Sequence, residues 1–395
     1  MNSASPPLAG IRVLELARIL AGPWCGQILA DMGADVVKVE SPEGDDTRQW
    51  GPPFIPAADG GHLDSAYYHS ANRGKRSVIA DFTTPEGQGL VKKLAVRADI
   101  IIENFKAGGL RKYGLDYASL KAASPAMIYC SITGFGQDGP YARRPGYDFM
   151  IQGMGGLMDV TGEADGQPMK VGLAYADMTT GLYSAIAVLG ALNRRNATGA
   201  GAYIDMALLD VQTGMLQAQS MNFLASGKTP KRMGNNHPNL VPYSVVPVAD
   251  GHMIIAVGND AQYGRLCRLL GQPEWADDAR FKTVADRIAH REALMALINA
   301  RTVRYSKADL LARFEAEGIP AGPFNTVPEV FADPQVIHRG LRHDLDSASA
   351  AGGKVVNVAG PIVIDGKRQM AERHAPACGG DLASVMQDKS WGMGE

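Results

Sequence analysis

The stretch Val171-Gly-Leu-Ala-Tyr-Ala-Asp177-Met-Thr-Thr-Gly-Leu-Tyr183 sets one carboxylate directly ahead of a run rich in small and apolar residues. An Asp at that point is an N-cap or first-turn residue of the helix that follows. The helix dipole and the unpaired N–H groups there favour the ionised form. An ionised, positioned carboxylate is a workable nucleophile toward an activated acyl group. Gly153, Gly155, Gly156, Gly172 and Gly181 lie around it, and backbone without Cβ admits a large ligand closely. The same Asp could instead simply cap a buried helix. Spacing alone leaves both readings open.

The elements that must position this residue begin with a βαβ unit. Ile11–Leu16 reads as a buried strand, Pro23–Met32 as a helix stopped by Gly33, and Asp35–Glu40 as a second strand. Pro at a helix start and Gly past its end are the expected asymmetry. Parallel strands with a right-handed crossover follow from that order. Ser77–Asp81, Asp99–Glu103, Met127–Thr133 and Ala202–Met206 predict further strands, and Pro85–Ala95 a helix. The fold class is α/β, with a doubly wound sheet in the first half. Met178–Asn193 predicts a buried helix and Leu208–Leu224 a long one. Polar, Gly- and Pro-containing sequence from Ser226 to Pro242 marks a boundary. Beyond it a smaller α+β unit is expected, with a strand at His252–Val257 and helices at Ala261–Leu270, Asp286–Arg301 and Lys307–Glu317. Ser347–Gly353 reads as a loop before a hairpin-like Lys354–Ile364.

A first βαβ with Glu40 closing its second strand invites dinucleotide binding, since an acid there can hold a ribose hydroxyl. The turn, Ala17-Arg-Ile-Leu-Ala-Gly-Pro23, argues against it: G-x-G-x-x-G is absent, and Pro23 removes an N–H donor that a pyrophosphate would use. No Walker A sequence occurs either. The turn is either a tight connection or one whose backbone faces a ligand at the sheet's carboxyl edge. In 395 residues, 39 Lys+Arg against 41 Asp+Glu give a net charge of −2, without the basic footprint of nucleic-acid or anionic-membrane binders. Cys25, Cys130, Cys267 and Cys378 show no C-x-x-C spacing, so no structural zinc site or disulfide framework is expected. Met178–Leu192 is too short an apolar span for a bilayer, and the first residues lack a signal or transit pattern. A cytoplasmic protein is expected.

Several blocks together resemble the class III CoA-transferases, the superfamily of formyl-CoA transferase and α-methylacyl-CoA racemase. They are Pro7–Glu15, Ala21-Gly-Pro23, Gly33–Glu40, Gly44-Asp-Asp-Thr-Arg-Gln-Trp-Gly51, Asn72–Ser77 and Glu103-Asn-Phe105. Gly134–Pro140, Arg144-Pro-Gly-Tyr-Asp148 and Ala176–Gly181 continue the series, so the resemblance spans essentially the whole chain. It implies an interlocked homodimer whose chains each carry a Rossmann-like large domain and a smaller domain. The boundaries expected are 1–225 for the first part of the large domain, 226–330 for the small domain, and 331–395 for a segment returning to the large one.

The resemblance implies that Asp177 is the nucleophile, forming an acyl-aspartyl anhydride and then an aspartyl–CoA thioester. CoA is then a substrate, with no permanently bound cofactor, ATP or metal. Racemases of this superfamily carry a His where Tyr147 stands. A phenol, with an ordinary pKa of ~10, is a poor base at neutral pH. Tyr147 thus favours the transferase, with Asp148 as a supporting acid. Ile19 and Leu20 match the turn lining the pantetheine, Asn104 and Phe105 a wall for adenine or pantetheine, and Lys112 a basic position near the phosphates. Lys75, Arg76 and Arg111 are further phosphate candidates by charge, though each could equally be a solvated surface cation.

Gly234-Asn-Asn-His-Pro-Asn-Leu-Val-Pro-Tyr243 and Val257-Gly-Asn259 resemble most the succinate–hydroxymethylglutarate (glutarate) branch. Val257-Gly-Asn-Asp260 is not the Gly-rich lid of formyl-CoA transferases, and Ala375-Pro-Ala-Cys-Gly-Gly-Asp381 departs from the family's usual C-terminal block. A dicarboxylate needs donors for its distal charge, and Arg48, Asn236, His237 and Tyr243 are the candidates. For His237, capping a loop carbonyl is the alternative. The expected activity is CoA transfer from an acyl-CoA to a (di)carboxylic acid; the alternatives are an acyl-CoA racemase or epimerase and a non-catalytic CoA-binding protein.

Overall fold

In the computed structural model, which describes residues 5–392, six strands form a parallel sheet. They are β1 (Arg12–Glu15), β2 (Asp35–Glu40), β3 (Lys75–Ile79), β4 (Ile100–Glu103), β5 (Ile128–Thr133) and β6 (Ala202–Ala207). Their spatial order is β3-β2-β1-β4-β5-β6, with every neighbouring pair parallel. Parallel pairing requires crossovers, and helices provide them: α1 (Ala21–Asp31) joins β1 to β2, and α2 (Pro85–Ala95) joins β3 to β4. At the start of α2 the Thr84 side chain accepts from Gly87 N–H, with Pro85 in the first helical turn. Gly33 ends α1 with φ 96°, a conformation that penalises any side chain.

Alternation along the strands explains why both faces are apolar. Val13, Ile100, Ile102, Ile128 and Cys130 pack with α1 on one face, while Leu14, Val37, Ile101 and Tyr129 pack with Val91 and Leu94 of α2 on the other. A sheet covered on both faces needs strands that read as continuous hydrophobic runs. Three further helices are α3 (Asp148–Met154), α4 (Tyr175–Thr198) and α5 (Leu208–Gly214).

Some expected elements differ. The helix expected to be buried, α4, buries Thr180, Ser184, Val188 and Leu192 but leaves Leu182, Tyr183 and Ile186 exposed on its opposite side. The single helix expected over 208–224 is two, because the chain turns after Gly214 with Gln217 at φ 46° before Ala218–Ser226. The helix expected over 286–301 is likewise divided at His290, after a capping box at Thr283 starts the first piece early. The hairpin expected within 354–364 instead pairs Arg342–Asp346 with Lys354–Val358 across the predicted loop.

The chain divides into two compact units. The first comprises residues through Leu157, Lys170–Leu224 and the chain from Pro334 onward; the second comprises Met158–Met169 and Ala225–Asp333. Met158–Met169, expected with the large domain, is tied to the second unit by Gly234 N–H donating to Gly162 O at 2.9 Å and by Arg232 pairing with Asp159. In that unit β7 (Tyr243–Val248), β8 (Gly251–Ala256) and β9 (Ala321–Pro323) form an antiparallel sheet over a core including Met253, Tyr263, Leu294 and Phe314. In the first unit the C-terminal stretch runs beside the edge strand β3. Ser77 N–H donates to Asp381 Oδ2 at 2.9 Å, Asp381 N–H donates back to Ser77 O at 3.0 Å, and Trp391 is fully buried. Covering an edge strand removes a template for unwanted pairing.

Candidate active site

The strand order reverses between β1 and β4, and open α/β sheets bind ligands beyond the strand ends at such a point. The residues just past those ends are Arg18–Leu20 and Asn104–Phe105. Asn104 locks the two segments together: its Oδ1 accepts Arg18 N–H at 3.0 Å and its Nδ2 donates to Arg18 O at 2.7 Å. Ile19, a β-branched residue, is held at φ 70°. These residues line a cleft of about 400 Å³. It brings together Ile19, Leu20, Asn104, Phe105 and Lys112 with Tyr147 and Asp177, which are far apart in sequence. Arg18, Lys106 and Arg144 add positive charge to the same lining, and sequence reasoning passed over all three.

Asp177 is the third residue of α4 and partly buried. The N–H groups expected to serve its carboxylate serve Asp148 instead. Asp148 Oδ1 accepts Ala176 N–H at 2.8 Å and Asp177 N–H at 3.2 Å, and its Oδ2 accepts Gln152 Nε2 at 2.7 Å. Gln152, itself fully buried, also accepts Val171 N–H and donates to Leu173 O, which fixes the approach to α4. The expectation that the helix N-terminus keeps Asp177 ionised is therefore corrected. Burial, and then the neighbouring Asp148 charge, push its carboxyl up to about 7. The site thus pairs a carboxylate anchored by backbone donors with one whose proton is exchangeable near neutrality.

Tyr67 is a functional candidate absent from the sequence reading. Burial, followed by the charges of Asp177 and Asp148, pushes its phenol up to about 12, so it keeps its proton at neutral pH. Its ring lies 5.3 Å from that of Trp50. Trp50 lies in the Gly44–Gly51 block, one of those that carry the family resemblance. Tyr147 is 59% exposed at the cleft mouth, positioned as the residue preceding α3.

Four expected cations lie elsewhere. Lys75 is fully buried on β3; its Nζ meets Glu15 Oε2, Pro23 O and Asn72 Oδ1, each at 2.8 Å, and burial lowers it to about 8. It has no reach toward a phosphate. Arg76 is engaged by Asp35 and Asp388. Arg111 lines a neighbouring cleft of about 840 Å³ with Glu103, Tyr129 and Tyr203. Arg48, expected to receive a distal carboxylate, is buried with its guanidinium on Glu40, Asp64, Tyr68 Oη and Pro376 O. Its charge is already matched from within.

Asn236, His237 and Tyr243 belong to the second unit. Asn236 Nδ2 donates to Met233 O, and the His237 and Tyr243 rings lie 5.0 Å apart. His237 Nδ1 accepts from Asn239 N–H at 3.0 Å rather than capping a carbonyl, which places the proton of the neutral ring on Nε2. Among the described residues no group of three or more His, Cys, Asp or Glu could hold a metal ion, and no helix is long and apolar enough to cross a membrane.

Comparison with known proteins identifies the family. The profile of CoA-transferase family III matches residues 8–382. The succinate–glutarate CoA-transferase of Agrobacterium fabrum is 55% identical over 98% of this chain and 97% of its own. The succinyl-CoA:glutarate CoA-transferase of Mus musculus is 40% identical over 94% and 83%. A solved CaiB/BaiF family protein from Brucella suis superposes with a TM-score of 0.85 at 55% identity, covering 97% of this chain and 99% of that one. Through a match along almost its whole length, the chain belongs to CoA-transferase family III and is a transferase.

Proposed function

We propose that this enzyme moves CoA from an acyl-CoA donor to a dicarboxylic acid, with Asp177 as the covalent relay. The observation that carries the reading is the presence of the Asp177 carboxyl in the same cleft as the Ile19–Leu20 turn and the Asn104–Phe105 wall. Attack of the Asp177 carboxylate on the donor thioester carbonyl breaks the C–S bond and releases CoA thiolate, leaving an acyl-aspartyl anhydride. The thiolate attacks the aspartyl carbonyl, expels the donor acid and forms an aspartyl–CoA thioester. The acceptor carboxylate repeats the sequence in reverse, leaving as its CoA ester and restoring Asp177. A desolvated carboxylate that titrates near 7 is more basic than an ordinary one and so a stronger nucleophile. The exposed cations Arg18, Lys106, Lys112 and Arg144 suit the phosphates of CoA.

The names of the relatives support succinate and glutarate as the acid pair. Arg48, whose guanidinium is matched by Glu40 and Asp64, is no longer a candidate donor to the second carboxylate. The apolar exposed face of α4 supports the reading as an interlocked homodimer.

The test is a panel of CoA esters crossed with mono- and dicarboxylic acids, combined with hydroxylamine trapping of an aspartyl thioester and a mass measurement on the active species. Four- and five-carbon dicarboxylates should exceed monocarboxylates of equal length. Equal kcat/KM for butyrate and succinate would remove the dicarboxylate assignment. Exchange of the α-hydrogen with solvent deuterium without CoA transfer would identify a racemase, and binding without turnover a non-catalytic protein. A fully active monomer at micromolar concentration would remove the dimer.

A further inference from the structure

The turn between β1 and α1 is fixed from below by a cluster of four buried charges. Glu15, Lys38, Asp45 and Lys75 are each at most 3% exposed, and their formal charges cancel. Lys75 Nζ lies 2.8 Å from Glu15 Oε2, Lys38 Nζ 3.2 Å from Glu15 Oε1, and Lys38 Nζ 2.9 Å from Asp45 Oδ2. Room for the cluster is built into α1, where a Cβ on Gly26 would meet Glu15 Oε2 at 1.9 Å.

A buried ion cluster is a poor way to gain stability, because desolvation offsets most of the attraction. This one also bonds the backbone on both sides of the β1–α1 turn. Lys38 Nζ donates to Ala17 O at 2.8 Å, and Lys75 Nζ donates to Pro23 O at 2.8 Å. Ile19 N–H faces both Asp45 carboxylate oxygens at 3.3 Å each. Asp45 is aimed in turn by Thr47, whose N–H and Oγ1 donate to its Oδ1 at 3.1 and 2.8 Å. Burial would raise the Asp45 carboxyl, yet Lys38 and these bonds hold it down at about 2, so it remains an anion.

The residue held by that anion is strained. Ile19 is β-branched and sits at φ 70°, a region such residues avoid. Strain of this kind persists only where the surroundings over-determine it, and it concentrates at ligand sites. We propose that Asp45 is a positioning residue: it holds Ile19 in the left-handed conformation that presents the Ile19–Leu20 turn to the acyl-CoA arm in the cleft. This rests on reading the cleft as the acyl-CoA site. Asp45 is not part of the lining of that cleft and acts through Ile19.

The test is a double-mutant cycle read with succinyl-CoA as donor and glutarate as acceptor. Asp45→Asn keeps the shape of the side chain and removes its charge, so Ile19 is free to relax. KM for succinyl-CoA should rise at least about fivefold, while kcat changes by less than about twofold. Glycine occupies φ 70° without penalty, so in an Ile19→Gly background the turn needs no anion to hold it. There Asp45→Asn should raise KM by less than about twofold over Ile19→Gly alone. Thr47→Val, which removes only the hydroxyl that aims Asp45, should show the same pattern at smaller amplitude, and it decides the matter if Asp45→Asn does not fold. An equal KM increase in both backgrounds would overturn the inference while leaving the acyl-CoA site in place. Wild-type enzyme without CoA transfer would overturn the reading of the site and the inference with it.

Discussion

The cations beneath the β1–α1 turn and those around the cleft are the same residue types with opposite fates. Lys38, Lys75 and Arg48 are buried and matched by Glu15, Asp45, Glu40 and Asp64. Arg18, Lys106, Lys112 and Arg144 are exposed in loops beyond the strand ends. The difference comes from position. Lys38 and Lys75 project from β2 and β3 into the interior beneath the turn, where water is excluded and only a carboxylate can compensate. The cleft cations sit where the backbone has left the sheet and solvent or an anionic ligand can reach them. The first group specifies the shape of the site; in the second, Arg18 pairs with Asp46 at 2.7 Å, while Lys106, Lys112 and Arg144 line the cleft with it.

The largest effect that would sharpen this contrast is at Asp177. Asp177→Asn should lower transfer by at least ~1,000-fold while the protein stays folded. Its folded pKa, raised to about 7, makes the wild type relatively most stable when this carboxyl is protonated; that contribution is complete below the unfolded value and is lost as pH rises through 7. The Asn variant escapes the loss, so at pH 8 it should be more stable than wild type by roughly 1–3 kcal/mol. Thermal unfolding at pH 5 and pH 8 measures this, and a variant less stable than wild type at pH 8 contradicts it. In the wild type, kcat/KM should fall as pH drops below about 7, because the nucleophile takes up its proton.

Arg48→Leu should do the reverse, harming the fold and sparing selectivity. It strands Glu40 in the interior, and leaving a buried carboxylate unpaired costs about 3–5 kcal/mol. The preference of the folded fraction for succinate over butyrate should not change. A stable Arg48→Leu enzyme that accepted both acids equally would restore Arg48 as a substrate ligand and break the comparison. The smallest effect is expected at the rim. Arg144→Ala should raise KM for the CoA ester roughly three- to tenfold, and the increase should shrink in high salt, with the melting temperature nearly unchanged. A salt-independent loss, or a large drop in stability, would place Arg144 with the buried group.

Much of the first unit was legible in the residues. The βαβ start, Gly33 as helix stop and the cap of α2 follow from local chemistry, since periodicity and caps act within a few residues. Asp177 was readable as a first-turn carboxylate for the same reason, and the resemblance singled out Ile19, Leu20, Asn104, Phe105 and Tyr147, which line one cleft with it. The break at Gln217 was not readable, because a left-handed Gln leaves no signature in an apolar run. Neither was Tyr67, whose relation to Asp177 exists only across the fold.

The sequence by itself determined the parallel sheet, its crossovers and the family, because each rests on local pattern or on a long ordered match. Only the tertiary structure decided the fate of each charge. Glu15 and Lys75 meet across 60 positions, and Arg48 reaches Pro376 O across 328. The same packing gave the N–H groups at the start of α4 to Asp148 and left Asp177 desolvated beside it. A charge is set by what surrounds it, and those surroundings come from parts of the chain that no local pattern relates.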